Sequence, residues 1–467
     1  MTPSWRNQSP GDLSFEFPEV RPTEVEPAIA AAAAAFEAWS ATPLSDRIES
    51  LRAAQMKIEV ARDELARGIA RETGKCVREC AGELGAVIAK FELTFSDAAR
   101  YLPDECPPGA PHPAVVRRRA RGAAAVIGPF NFPVHLAHGQ ILAYLAAGNS
   151  VIFKPAPAAA NVCARYAELM SAALPEGVFG LVQGAAAEGA QLCSDRRIRA
   201  VGFTGSVAAG RAIAKATADD LSKDVALELG GKCAAIVCDD ADLQRAADMC
   251  AEAACLTAGQ RCNATSRIIV ERAVLSPFID KLLPAIHQFT PGDPLWETTR
   301  LGPLVSDAAY ERYRRLIDLN EGHWLKRGHA PASVDGKVGY YVEPAVVLFD
   351  SAAKASGAAL ACDELFAPIV AVIAVDSEQE LFGLHNGTPF GLTAAVFTRN
   401  RARFDRFCSR LDAGNVYANL PTTFSPSQLP FGGWKDSGNG RPGGRGFIRF
   451  ATEEQAIQWS AEGFTGA

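Results

Sequence analysis

From Ala123 to Asp240, short apolar runs alternate with longer amphipathic stretches. The runs Ala123–Ile127, Ser150–Lys154, Val178–Val182, Ala200–Thr204 and Ala234–Val237 read as strands, and the stretches near Gly139–Ala147, Asn161–Ala173 and Val207–Ala216 as helices. Strands alternating with helices predict a parallel α/β sheet, because parallel neighbours need a crossover between them. A second region of this kind runs from Gln260 to about Gly432, with strands predicted at Ser266–Val270, Ile369–Val375 and Ala394–Phe397. The N-terminal part reads as helical. Thr23-Glu-Val-Glu26 has the form of a capping box and predicts an alanine-rich helix to about Trp39. Ser45 is expected to cap a second helix, with Ile48, Leu51 and Met56 among its apolar positions, and a third helical region follows from Val77 to Leu102. The proline-rich stretch from Asp104 to His112 is a break. Val115-Val-Arg-Arg-Arg-Ala-Arg121 then reads as an extended strand, too basic for a core and suited to a sheet edge or a subunit contact. Ala456-Ile-Gln-Trp459 reads as a last strand.

A chain of 467 residues suggests about three domains, or two large ones with an appendage. Hydrophobic residues at 48% and charged residues at 21% give it a sizeable core and exclude a disordered chain. A net charge of −6 argues against nucleic acid or an anionic membrane as partner. No apolar run is long enough to span a bilayer, and the start, Met1-Thr-Pro-Ser-Trp-Arg6, lacks a signal-peptide core. With twelve cysteines, this points to a reducing compartment, the cytoplasm. Cys76 and Cys80, and Cys233 and Cys238, are not spaced as zinc ligands, and no histidines match them, so no metal is expected.

One cysteine stands apart. Cys262 lies in the small, polar stretch Gly259-Gln-Arg-Cys-Asn-Ala264, just after Ala251 to Ala258, which reads as a helix. Most of the others lie in apolar or helical runs, where a thiol packs as a small hydrophobe. Gly259 and its small neighbours leave backbone and ligand room near the sulfur, and a thiol nucleophile needs that access. Upstream, Leu227-Glu228-Leu229-Gly230-Gly231-Lys232 puts a carboxylate on an apolar strand end. Such a group is either paired structurally or raised in pKa and suited to general-base work. Gly128-Pro129-Phe130-Asn131-Phe132-Pro133 holds an asparagine that either closes a turn or donates its amide to a developing oxyanion. The ordinary Gly-x-Gly-x-x-Gly dinucleotide fingerprint is missing after the first strand. Phe203-Thr-Gly-Ser206 fills a comparable place: a strand end, a glycine turn and a helix N-terminus able to face a phosphate.

These segments are joined, in order along the chain, by Arg71-Glu-Thr-Gly-Lys75, Phe153-Lys-Pro155, Glu364-Leu-Phe366 and Pro430-Phe-Gly-Gly433. From about Pro27 to its end the sequence resembles the aldehyde dehydrogenase superfamily. The resemblance implies an α/β, aldehyde dehydrogenase-like fold with a Rossmann-like parallel-sheet dinucleotide-binding domain (1–104 and 122–230), a second α/β catalytic domain (231–446) and a small β oligomerisation element (105–121 and 447–462). It implies a homo-oligomer, dimer or tetramer, acting on a small aldehyde. In the implied chemistry Cys262 attacks the aldehyde, and Asn131 and the Cys262 backbone N–H hold the oxyanion. After hydride transfer, Glu228 activates the water that hydrolyses the thioester to a free acid. The implied cofactor-binding residues are Ile127, Pro129, Phe130, Lys154, Gly184, Gly205, Ser206, Gly230, Glu364 and Phe366. Lys154 belongs at the adenosine ribose, Gly205 and Ser206 at the pyrophosphate, and Glu364 and Phe366 at the nicotinamide ribose. Many NAD-preferring members carry a glutamate three residues after the lysine, where this chain has Pro157, so NAD is expected with NADP tolerated.

Within the superfamily the likeness is strongest to the succinylglutamate-semialdehyde dehydrogenases of arginine breakdown. It rests on Gly128-Pro-Phe-Asn-Phe-Pro-Val-His-Leu-Ala-His-Gly139, Val182-Gln-Gly184, Thr257-Ala-Gly-Gln-Arg-Cys262 and Ser437-Gly-Asn-Gly-Arg-Pro442. Gly139, where many members place a bulky residue, implies room for a wide, polar substrate. Gly440, Lys232 and Asn263 depart from that subgroup's pattern. A substrate with two carboxylates calls for a basic side chain, and Arg261 and Arg441 are the candidates, each equally suited to a structural role. His135 and His138 are expected to be packed side chains. Glutamate semialdehyde or an aliphatic aldehyde is the alternative substrate. A non-catalytic member is a remote alternative, because Cys262, Glu228 and Asn131 are all present.

Overall fold

The computed structural model describes residues 3–460, so positions 461 and 462 of the expected oligomerisation element lie outside the described residues. Its first sheet has five parallel strands in the order Phe179–Leu181, Ser150–Lys154, Ala123–Ile127, Ile198–Thr204, Asp224–Glu228. Ala123–Ile127 and Ser150–Lys154 are buried along their whole length, as central strands covered by helices on both faces must be. The chain starts this sheet at the middle strand, moves outward to one side, then crosses to the other. That reversal leaves a crevice at the strand C-termini beside Ile127, where open parallel sheets bind ligands.

A second, seven-stranded sheet runs His323–Lys326, Ala345–Phe349, Ile369–Val375, Arg267–Glu271, Ala234–Val237, Thr393–Phe397, Asn415–Ala418. It is parallel except for the edge strand His323–Lys326. Ala234–Val237, read from the sequence as continuing the first α/β run, is an inner strand of this second sheet; Glu228 therefore ends its strand of the first sheet six residues before Ala234. A separate two-stranded antiparallel ribbon pairs Ala114–Ala120 with Thr452–Gln458. Three of the four arginines from Arg117 to Arg121 are paired: Arg117 with Asp104, Arg118 with Glu454, and Arg121 with Glu453 and Asp224.

Several local expectations are corrected. The Thr23 hydroxyl accepts from the Gln183 backbone N–H, and the helix Val25–Ala41 starts without a side-chain cap. Ser45 lies inside the helix Leu44–Val60, which starts after Pro43, and its hydroxyl turns to Asp46. Met56 is 63% exposed, because the buried face of that helix is Arg47, Leu51, Ala54 and Ile58, and Met56 falls on the opposite side. The alanine-rich run before Cys262 is not helical to Ala258: the α-helix Leu243–Cys255 stops, and Thr257 and Ala258 turn left-handed.

Candidate active site

The crevice of the first sheet opens into a cavity of about 630 Å³. Its floor is the C-terminal ends of three strands and the turns after them: Ile127 to Asn131, Lys154, and Phe203 to Ser206. One wall is Ala186, Gly189, Ala190 and Cys193 of the helix Ala186–Ser194; the other is Ala209, Ala212, Ile213 and Ala216 of the helix Val207–Thr217. Both sets recur at intervals of three or four residues, so each helix presents a stripe of mostly small apolar side chains, leaving a slot fit for a flat ring. Ser206 caps the second helix, its Oγ accepting from the Ala209 N–H, and the N-terminal end of that helix lies at the cavity, where first-turn N–H groups suit an anionic ligand. Lys154 is buried with the Pro155 carbonyl as its hydrogen-bond acceptor, and burial pulls its pKa down to about 8 against the opposing charge of Glu188. At the far end stand Phe130 and Phe366, their rings edge-to-face at 6.0 Å, with Glu364, Gly230 and Arg312. A slot for a ring, an anion-facing helix end, a lysine and a second polar end are what an extended dinucleotide requires. The residues fit that group.

Cys262 sits at this far end, half-buried, beside Cys233, Leu392 and Phe431. The backbone leading to it is strained: Thr257, Ala258 and Gly259 all have φ between 52° and 69°. For the first two, the left-handed region costs about 1–2 kcal/mol each. Gly259 admits no side chain, since a Cβ there would overlap the Ala367 carbonyl. Buried Glu79 holds the segment, accepting from the Thr257 N–H at 3.1 Å and hydroxyl at 2.7 Å and from Arg261 at 2.6 Å. Gln260 continues the clamp, its Oε1 accepting from the Val305 N–H and its carbonyl from Asn131 Nδ2 at 2.9 Å. That bond ties the asparagine to the cysteine loop and uses one of its two amide protons, leaving one for a ligand oxygen.

Asn131 is held from behind as well. Its carbonyl accepts from Lys75, which pairs with Glu83 at 2.8 Å, both side chains being almost wholly buried. The other Glu83 oxygen accepts the backbone N–H groups of Val134 and His135, at the start of the helix His135–Ala147. Breaking such a buried pair costs about 3–5 kcal/mol, so the asparagine stands on a stiff support. Glu228 ends its strand 2% exposed, and its Oε1 has no hydrogen-bond partner. Burial pushes its pKa up to about 8; a hydrogen bond with Cys262 lowers it and the nearby Glu364 charge raises it. Burial first, and then the Glu228 charge, hold the Cys262 thiol up as well. A carboxyl with a pKa near neutrality, placed beside the thiol, is positioned to take a proton from a water there.

Of the residues singled out in the sequence, Cys262, Glu228, Asn131, Ile127, Pro129, Phe130, Lys154, Gly205, Ser206, Gly230, Glu364 and Phe366 all line this one cavity, as does Pro157. Gly184 does not; it lies in the turn ahead of the helix Ala186–Ser194. Both candidate arginines are engaged: Arg261 with Glu79, and Arg441 with the carbonyls of Gly414 and Pro430. His138 is buried against Tyr166, and burial drives the pKa of His135 down to about 3. Sequence reading missed Arg312, whose guanidinium donates to the Glu364 carbonyl and lines the cavity. Nothing in Arg312-Tyr-Arg-Arg315 separates it from its surface neighbours.

The match to known proteins agrees with this geometry. Residues 4–457 match the model of the aldehyde dehydrogenase family. The chain is 34% identical over 438 residues to an N-succinylglutamate 5-semialdehyde dehydrogenase of Caulobacter sp. (strain K31), covering 92% of this chain and 88% of that protein. It is 33% identical over 443 residues to a betaine aldehyde dehydrogenase of Cereibacter sphaeroides (strain KD131 / KCTC 12085), covering 94% and 90%. Its fold superposes with a TM-score of 0.92 on a gamma-glutamyl-gamma-aminobutyraldehyde dehydrogenase from Burkholderia cenocepacia J2315, at 32% identity over 97% of this chain and 93% of that one. The corresponding values for a 1-pyrroline-5-carboxylate dehydrogenase from Thermus with bound NAD are 0.90, 30%, 97% and 89%. The chain belongs to the aldehyde dehydrogenase family. It is an oxidoreductase that oxidises an aldehyde with a nicotinamide cofactor. Among the described residues no helix is long and apolar enough to cross a membrane.

Proposed function

We propose that this enzyme oxidises a carboxylate-bearing semialdehyde derived from an amino acid, N-succinylglutamate 5-semialdehyde foremost, to the free acid with NAD. The observation that carries the reading is the convergence of Cys262, Asn131 and Glu228 at one end of a cavity whose other end fits a dinucleotide. Cys262 attacks the aldehyde carbon as thiolate and forms a thiohemiacetal. The free amide proton of Asn131 and the Cys262 N–H hold the oxyanion. Phe130, Glu364 and Phe366 would hold the nicotinamide end of the cofactor, which when bound would accept the hydride. The Cys262 thioester is then cleaved by a water whose proton passes to Glu228, and the acid leaves. A base at that place favours hydrolysis over transfer to phosphate or to another thiol. The N-succinylglutamate 5-semialdehyde dehydrogenase relative, and the match of Phe132 to Gly139 to that subgroup, support the substrate.

The test is initial rates at 340 nm with N-succinylglutamate 5-semialdehyde, glutamate semialdehyde, betaine aldehyde and hexanal, each with NAD and NADP. The first should have the highest kcat/KM; a preference for betaine aldehyde or hexanal would overturn the substrate reading. Replacing Asn131 by Ala should lower kcat by about 100- to 1,000-fold. A loss of melting temperature large enough to account for it would instead mark Asn131 as a support of the loop.

Residues 1–104 and 122–230 are assigned to cofactor binding, 231–446 to the catalytic half, and the ribbon of Ala114–Ala120 with Thr452–Gln458 to joining copies of the chain by sheet extension at its open edges. NAD is the first choice of cofactor, with measurable use of NADP. Pro157 stands at the cavity wall, so no carboxylate at that position contests a 2′-phosphate, and Lys154 is near to attract one. Pro157→Glu should raise the NAD over NADP ratio of kcat/KM by roughly 5- to 150-fold. An unchanged ratio would put cofactor choice elsewhere in the slot.

A further inference from the structure

In the turn after Asn131 and the helix His135–Ala147 that follows it, the residues are buried except along one line. Phe132, His135, Leu136 and Gly139 are partly exposed, while Pro133, Val134, Ala137, His138 and Gln140 are buried. His135, Leu136 and Gly139 share one face of the helix, and Phe132 stands in the turn ahead of it, its ring edge-to-face with the His135 ring. Leu136 on that face lines the cavity with Cys262 and Asn131, so the face borders the aldehyde side of the site. Gly139 lies one turn beyond Leu136, about 4.5 Å further along the helix axis.

Lys90, on the helix Val77–Tyr101, fills the space that Gly139 leaves. A Cβ at position 139 would stand 3.1 Å from Lys90 Cε and 3.6 Å from its Nζ, so only glycine leaves the lysine undisturbed. Lys90 is 5% exposed, yet it forms no hydrogen bond or ion pair among the described residues. The nearest charges do not neutralise it. Asp97 is bound to Arg445 at 2.8 Å and to the Gly446 N–H at 2.7 Å and acts on Lys90 only at longer range. Lys75 belongs to Glu83, and His135 is held neutral by burial and by these two lysines. His135 Nδ1 is a second buried polar atom without a partner on the same face. Burial lowers the Lys90 pKa to about 8, which leaves the ammonium the main form at neutral pH.

A buried ammonium without a counter-ion is costly unless a ligand completes it. We infer that Lys90, in the gap opened by Gly139, is the specificity residue that pairs with a carboxylate of the aldehyde substrate several bonds from the reacting carbon. It takes the place for which Arg261 and Arg441 were candidates, since both of those are engaged elsewhere. The same cation repels a quaternary ammonium, so it selects against betaine aldehyde. This inference rests on the reading of the substrate as an anionic semialdehyde.

The experiment compares kcat and KM of the full-length wild type, Lys90→Met, Lys90→Arg and Gly139→Ala on N-succinylglutamate 5-semialdehyde and on hexanal. In Lys90→Met, KM for the semialdehyde should rise roughly 10- to 100-fold with kcat nearly kept, as for loss of a desolvated charge pair. Hexanal kinetics should not change, and Lys90→Arg should recover part of the loss. Gly139→Ala, which crowds the lysine without removing it, should raise the same KM and serves as the readout if Lys90→Met does not fold. An equal loss on both aldehydes, or no loss on either, overturns the role of Lys90. A wild type that does not prefer the semialdehyde to hexanal overturns the underlying substrate reading, and this is seen before any variant is assayed.

Discussion

Cys262→Ala loses aldehyde oxidation by about 10⁴-fold or more while still binding NAD. The size of the effect follows from the chemistry: without the sulfur no covalent intermediate forms, and residues that act as a unit fail together when one is removed. Cofactor binding survives because the slot is built from residues 127–131, Lys154, the helix Val207–Thr217 and Glu364. The alanine removes little packing from the small cluster of Cys233, Leu392 and Phe431. The check is steady-state NADH production beside titration of NAD by fluorescence. Turnover near the wild-type rate would send the nucleophile's role to one of the other eleven cysteines, eight of which are buried.

Glu228→Gln separates the two halves of the reaction. Acylation proceeds, but an amide cannot take the proton of the hydrolytic water, so one equivalent of NADH appears in a burst and the steady state falls by about 100-fold or more. In the wild type the pH profile should carry the same signature. Burial raises the Glu228 pKa to about 8, so its base form is the minor species at pH 6 and predominates above pH 8. Deacylation should therefore quicken as pH rises through that range, and the rise should vanish in Glu228→Gln. Burst and steady state falling together would place Glu228 in activation of the thiol.

The sheets were legible in the sequence because buried parallel strands are continuous apolar runs. Ala123–Ile127, Ser150–Lys154, Ala234–Val237 and Ile369–Val375 stand where the pattern put them. Less was visible where polarity hid an element. The helix Arg62–Thr73 is rich in charge and was not foreseen, and neither were the helix Ala186–Ser194 nor the strands His323–Lys326 and Asn415–Ala418; the strand Ala345–Phe349 was missed although it is a continuous apolar run. Capping was misread at Thr23 and Ser45, because a hydroxyl near a helix start has other acceptors and donors in reach. The groups proposed to react drew notice through their local settings, a cysteine among small polar residues and a carboxylate among leucines, but only the resemblance to the family joined them, and the structure brings them to one cavity. Arg312 and Lys90 were not, since each is an ordinary cation on a helix until folding brings it to the cavity wall or opposite a glycine. The strain at Thr257 and Ala258 was likewise invisible, because it is imposed by Glu79, 178 residues away along the chain from Thr257.

The central claim is that oxidation passes through an acyl group on Cys262. Intact-mass measurement of Glu228→Gln, quenched in acid after mixing with NAD and N-succinylglutamate 5-semialdehyde, followed by peptide mapping, tests it directly. The account predicts one added acyl mass per chain, carried by the peptide containing Cys262 and absent without NAD. An unmodified chain despite a burst of NADH, or an acyl group on a different cysteine, would contradict it.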